Sequence, residues 1–193
     1  HTLAAAVKAS IDKLRKARSD AEQRQDAQLL SQAVVDRAEY EVDLLIRQSE
    51  LEALADTAKN RQDPRYRAAF PDGLTELVSK WGGEQARAVR SYRKQLDTHF
   101  PQLAKKYGKD LDQKAQATED AERKWIDAQN EATQAAAQVA QAKADLVRTL
   151  RKSEAALLGL FPGQKAKVRT FFRQKRARAA AEVSPPSPSP ASS

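Results

Sequence analysis

The chain has 193 residues, a formal net charge of +8 and neither Cys nor Met. Hydrophobic residues make up 40% of it, but 36 of them are Ala, so bulky apolar side chains are scarce and a thick globular core is not expected. Six Gly and few β-branched residues exclude a β-sandwich or doubly wound sheet, and the lack of Cys excludes a disulfide framework, thiol catalysis and Cys-ligated zinc.

The chain opens His1-Thr2-Leu3 without an initiator Met, which reads as a fragment or a processed product. No apolar run reaches the length of a membrane span, and no charged-then-apolar signal segment opens the sequence. A cytoplasmic location is expected, or an extracytoplasmic one if a signal was removed upstream.

Three Phe-Pro dipeptides punctuate the chain: Phe70-Pro71, Phe100-Pro101 and Phe161-Pro162. Proline suits the first turn of a helix and disfavours helix in the residue before it, so each Phe-Pro is expected to open a new helix. The expected order is a long helix from about Leu3 to Asn60 and a shorter one from about Asp72 to Thr98. A second long helix runs from about Pro101 to Leu158, and a short basic one from about Gln164 to Glu182. Asp63-Pro64 and Asp72-Gly73 mark the turn region after the first helix. Trp81-Gly82-Gly83 is placed to bend or split the second, since glycine is costly inside a helix. Ser184 to Ser193, SPPSPSPASS, has the composition of a disordered, solvated tail.

The clearest periodicity lies on the second long helix. Leu111, Thr118, Trp125, Ala132, Val139, Leu146 and Ser153 recur every seven residues, interleaved with Ala121, Ala128, Ala135, Ala142, Thr149 and Ala156. Alternate spacings of three and four make one slowly precessing stripe of coiled-coil type. Its Ala row lets a second helix approach toward the short end of the usual ~8–10 Å range. Trp125, Ala128, Ala132, Ala135, Val139 and Leu146 are the expected packing residues of this seam, and the Trp125 indole N–H needs a partner there. On the first helix Ala27, Leu30, Val34, Leu44, Leu51, Ala55 and Ala58 fall on the same lattice shifted by 91 residues, the separation of Phe70 and Phe161. This suggests a pseudo-duplication of long helix, Phe-Pro and short helix.

Ten basic residues and one acid lie between Arg148 and Arg178, so the basicity of the whole chain belongs to this segment. Lys165, Lys167, Arg169, Arg173, Lys175, Arg176 and Arg178 are the candidates for binding a nucleic acid or another polyanion, through release of condensed counterions. Phe171 and Phe172 are the candidates for contact with an anionic membrane surface. The plainer alternative is a terminal helix docked through Val168 and the two Phe, with charge serving solubility. Arg87, Arg90, Arg93 and Lys94 read as a solvated face, and the carboxylates from Glu39 to Glu52 as within-helix ion pairs on an exposed helix.

His99 is the only internal His, at a helix junction, where a capping or packing role is expected. GLFPGQK, residues 159–165, lacks the spacing and the preceding strand of a phosphate loop. No Glu-x-x-His pair and no Ser-His-acid set is present, so no cofactor, metal or catalytic residue is assigned. The expectation is an all-α, elongated helical bundle in which residues 1–98 and 99–183 pack as one domain and 184–193 form a tail. Its expected role is a non-enzymatic scaffold or protein-interaction module with an unidentified protein partner, and polyanion binding is the alternative. The Ala-rich seam closes within one chain or between two, so self-association through it is one outcome of the pattern.

Overall fold

A computed structural model describes residues 2–172 and shows an all-α helical bundle, with no strand among those residues. The six helices are α1 (Thr2–Asp56), α2 (Pro64–Ala69), α3 (Gly73–Val78), α4 (Gly82–His99), α5 (Pro101–Leu160) and α6 (Lys165–Phe172). They form two units: residues 12–143, and the two terminal segments comprising residues 2–11 with 144–172. Each unit contains a stretch of both long helices. The tail at 184–193 and the basic residues from Arg173 onward lie outside the described residues.

In the larger unit α1 and α5 pack antiparallel. Arg24 pairs with Glu131, Glu41 with Lys114, and Glu52 with Lys106, so partners move up one helix as they move down the other. The helices α2 and α4 fill in beside one end of this pair. There the core gathers Val42, Ile46, Tyr66, Phe70, Val89, Tyr92, Leu96, Phe100, Tyr107 and Leu111, with Ala53, Ala86, Ala104 and Ala115 where backbones come close. Phe70 stacks at tilted angles between Tyr66 (4.9 Å) and Tyr92 (5.0 Å). In the smaller unit Ser10 on α1 donates to Thr149 on α5 (3.1 Å), and α6 is held through Val168, which is fully buried.

α1 stops four residues earlier than its periodicity predicts. The N–H of Lys59 bonds the Leu54 carbonyl (2.6 Å) and that of Ala58 the Ala55 carbonyl (3.1 Å), the paired bonds of a Schellman ending. Ala58 (φ 53°) and Lys59 (φ 64°) are both left-handed, a conformation usually given to Gly. Without a Gly the stop is not visible in the sequence. Ala58→Gly is therefore expected to raise stability by up to about 1 kcal/mol, read from urea unfolding.

Residues 64–69, expected as a turn, are helical. Asp63 caps α2 by accepting the Arg65 N–H (2.8 Å), with Pro64 in the first turn where its missing N–H costs nothing. Only Phe100-Pro101 opens a helix directly. After Phe70-Pro71 and Phe161-Pro162 a short turn intervenes before Gly73 and Lys165. The second expected helix is split at Trp81 into α3 and α4.

The phase of α1 is a larger correction. Its inward row is Leu14, Ala21, Gln28, Val35, Val42 and Ser49, joined by Ile46 and Ala53. That is one residue later than expected, so Leu30, Val34, Leu44, Leu51, Ala55 and Ala58 are exposed. The expectation followed the bulkiest side chains, whereas burial selects a row containing Ser, Gln and Ala that suits close helix approach. Corresponding rows on α1 and α5 are consequently 90 residues apart, which no longer matches the 91 between Phe70 and Phe161.

Candidate functional site

On α5 the larger unit buries Ala121 and Ala135 and half-buries Trp125, Ala128, Ala132 and Val139. In the smaller unit Leu146 is half-buried, Ser153 buried and Ala156 exposed. Trp125 meets Trp81 edge-to-face at 5.1 Å, and its indole N–H is buried without a hydrogen-bond partner among the described residues. Within one chain the stripe is thus covered in part, with Ala121, Ala135 and Ser153 its buried members among those named.

The carboxylates of α1 have tertiary partners that the sequence does not reveal. Glu39 accepts the Gly82 N–H (2.5 Å) and Glu122 on α5 accepts that of Gly83 (2.8 Å). Two acids from two different helices thus cap the positive end of α4, whose own N-cap residue, Trp81, supplies no side-chain acceptor. The left-handed φ of Gly82 (55°) favours glycine here, and a Cβ would stand 2.6 Å from Glu122 Oε1 and displace that carboxylate. Asp43 accepts from Gln85 (2.7 Å), Glu50 from Tyr66 (2.6 Å), and Glu52 from both Lys106 and Tyr107. Arg90 makes a two-armed pair with Glu119 on α5, and Arg93 reaches Asp112 on α5 (3.7 Å), so the expected solvated face of α4 is partly a helix–helix contact. Such partners lie from 16 to 55 residues apart in sequence, beyond any local spacing rule.

These environments divide the acids by pH behaviour. Hydrogen bonds from Lys114, Lys106 and Arg90 hold the carboxyls of Glu41, Glu52 and Glu119 below their usual range. That stability is present above the unfolded-state value and is lost as pH falls through the folded one. Burial raises Glu39, opposed by the Gly82 N–H and reinforced by Asp36, Asp43 and Glu122. Its contribution is present below the unfolded-state value and is lost as pH rises through the folded one. Glu39→Gln keeps an oxygen for Gly82 and removes the charge. Stability at neutral pH is expected to hold or rise, and its loss as pH rises from about 4 to about 7 to shrink, measured by urea titration across that range.

Two surfaces face solvent with distinctive chemistry. In the larger unit α1 carries a second apolar stripe opposite its buried one: Leu30 is 70% exposed, Val34 56%, Leu44 40% and Leu51 64%. A soluble surface rarely gathers four large aliphatic side chains along one helix without a use for them. In the smaller unit Lys165, Lys167 and Arg169 on α6 are exposed, and none forms an ion pair among the described residues. Phe171 is exposed and Phe172 half-buried, so of the apolar patch expected there Val168 is the buried member. The Lys167 ammonium lies 5.5 Å from the Phe161 ring centre. Arg173, Lys175, Arg176 and Arg178 fall outside the described residues.

A cleft of about 420 Å³ is lined by Glu52, Arg65, His99, Phe100 and Leu103, with Arg65 already held by Asp56 (3.0 Å). No group of three His, Asp or Glu among the described residues could hold a metal ion. No helix among them is long and apolar enough to cross a membrane. Comparison with protein-family models, curated proteins and solved structures finds no match for this chain.

Proposed function

We propose that this chain is a non-enzymatic helical scaffold that holds a protein partner on the outward face of α1. The observation that carries this reading is the doubled apolar patterning of α1. One row, through Val35, Val42 and Ile46, builds the core, while the other, through Leu30, Val34, Leu44 and Leu51, contributes nothing to it. An exposed heptad stripe is the form in which a helix presents itself to another helix. The antiparallel α1–α5 pair and its capped α4 keep that stripe on a stiff support.

The test is affinity capture with the intact chain and with a Leu44→Arg/Leu51→Arg variant. The variant is expected to keep its helix content and melting temperature and to lose the captured partner. Retention of every partner by a folded variant would remove the reading.

Polyanion binding is a second reading, favoured by the exposed and unpaired Lys165, Lys167 and Arg169. Each phosphate contact releases condensed counterions, so binding of a mixed-sequence DNA duplex is expected to weaken steeply with salt. Reversal of all three charges to Glu should flatten that slope. If duplex binding is absent at low salt, α6 is a docked, solvated end.

A further inference from the structure

We infer that the exposed face of α6 docks on an anionic phospholipid bilayer, with Leu160 and Phe171 entering its interfacial region. This rests on the preceding reading of Lys165, Lys167 and Arg169 as polyanion-binding residues, and it names the polyanion. Residues 12–143 hold 23 basic and 23 acidic side chains, so the net charge of +8 belongs entirely to the terminal segments. In the smaller unit, the stretch from Arg151 to Phe172 exposes Arg151, Lys152, Lys165, Lys167 and Arg169 against one half-buried acid, Glu154. A negative surface therefore attracts this unit and exerts little net pull on the larger one.

Charge alone does not separate a bilayer from a nucleic acid; the apolar groups among the cations do. The two Phe expected to act together divide. Phe172, four residues on from the fully buried Val168, is half-buried, while Phe171 is 64% exposed. Lys167 lies one turn before Phe171 on the same face of α6, and its ammonium is 5.5 Å from the Phe161 ring centre. Leu160, next to Phe161 at the end of α5, is 69% exposed. Apolar surface of this kind gains nothing from the phosphate rail of a duplex. At a lipid headgroup layer it leaves water, while the Lys stems reach back to hold their ammonium groups at the phosphates. Val168 anchors the helix, so Phe171 is not needed to hold it in place.

Co-sedimentation of the full chain with vesicles is the experiment, using phosphatidylcholine alone and phosphatidylcholine with about a third phosphatidylserine. Binding is expected only with phosphatidylserine, and it should weaken as salt rises. Phe171→Ser should weaken it about tenfold with unchanged helix content, and leave binding of a DNA duplex within about twofold. Reversal of Lys165, Lys167 and Arg169 to Glu should remove both. The Cys-free chain allows a second readout. Leu160→Cys carrying an environment-sensitive dye should shift its emission to the blue on phosphatidylserine vesicles and not on a duplex.

Duplex binding without vesicle binding overturns the inference and keeps the polyanion reading. So does vesicle binding that Phe171→Ser leaves unchanged, or a dye at position 160 that stays in water. Binding to neither vesicle nor duplex at low salt removes both.

Discussion

Ile46→Ala is expected to lower the free energy of unfolding by about 2–5 kcal/mol. Leu44→Ala, two residues away, should change it by less than about 0.5 kcal/mol when measured at a concentration too low for association. Ile46 is fully buried and belongs to the cluster with Val42, Leu96 and Leu111, so truncation leaves a cavity among side chains that cannot all relax into it. Leu44 is 40% exposed and outside that cluster, and Ala is the stronger helix former of the two. Urea unfolding of the pair reads the phase of α1 directly. Equal effects, or the reverse order, would mean that the helix is rotated by about one residue.

Ala135→Leu addresses the other long helix, one turn from the Arg24–Glu131 pair that joins α1 and α5. Ala135 is 6% exposed and sits among Ala128, Ala132 and Val139, all on the inward side. A Leu there forces three extra carbons between closely spaced backbones, at an expected cost of roughly 1–3 kcal/mol. Ala137→Leu, on the exposed side two residues on, is the control and should be nearly neutral. An unchanged melting temperature for Ala135→Leu would show that the helices are too far apart there for a close seam.

The class of fold was legible because helical periodicity and Phe-Pro punctuation are local signals. On α5 the same periodicity runs through Leu111, which is buried, and Trp125, Val139 and Leu146, which are half-buried, with Ala121, Ala135 and Ala142 buried beside them. The α1 helix carries two apolar rows, and hydrophobicity alone prefers the wrong one. What selects the buried row is long-range: Tyr92 bonding Ser49 (2.8 Å), Gln85 bonding Asp43, and Gly82 needing Glu39. The end of α1 was missed because Ala58 stands where a Gly would have announced it. Carboxylates that look like surface ion pairs proved to be caps and anchors for α4, a role set by residues about forty positions away. The outward stripe was therefore present in the sequence as a seam, but its assignment to the interior or the surface required the fold.

The two faces of α1 are tested most directly by thiol accessibility in single-Cys variants, which the Cys-free chain makes unambiguous. Val35→Cys and Val42→Cys should react with a small thiol reagent slowly at every protein concentration, because both positions are fully buried. Leu44→Cys and Leu51→Cys should react much faster in dilute solution, because both positions are exposed. Slow reaction at 44 and 51 in dilute solution, with fast reaction at 35 and 42, would contradict the assignment of the two faces and the interaction surface built on it.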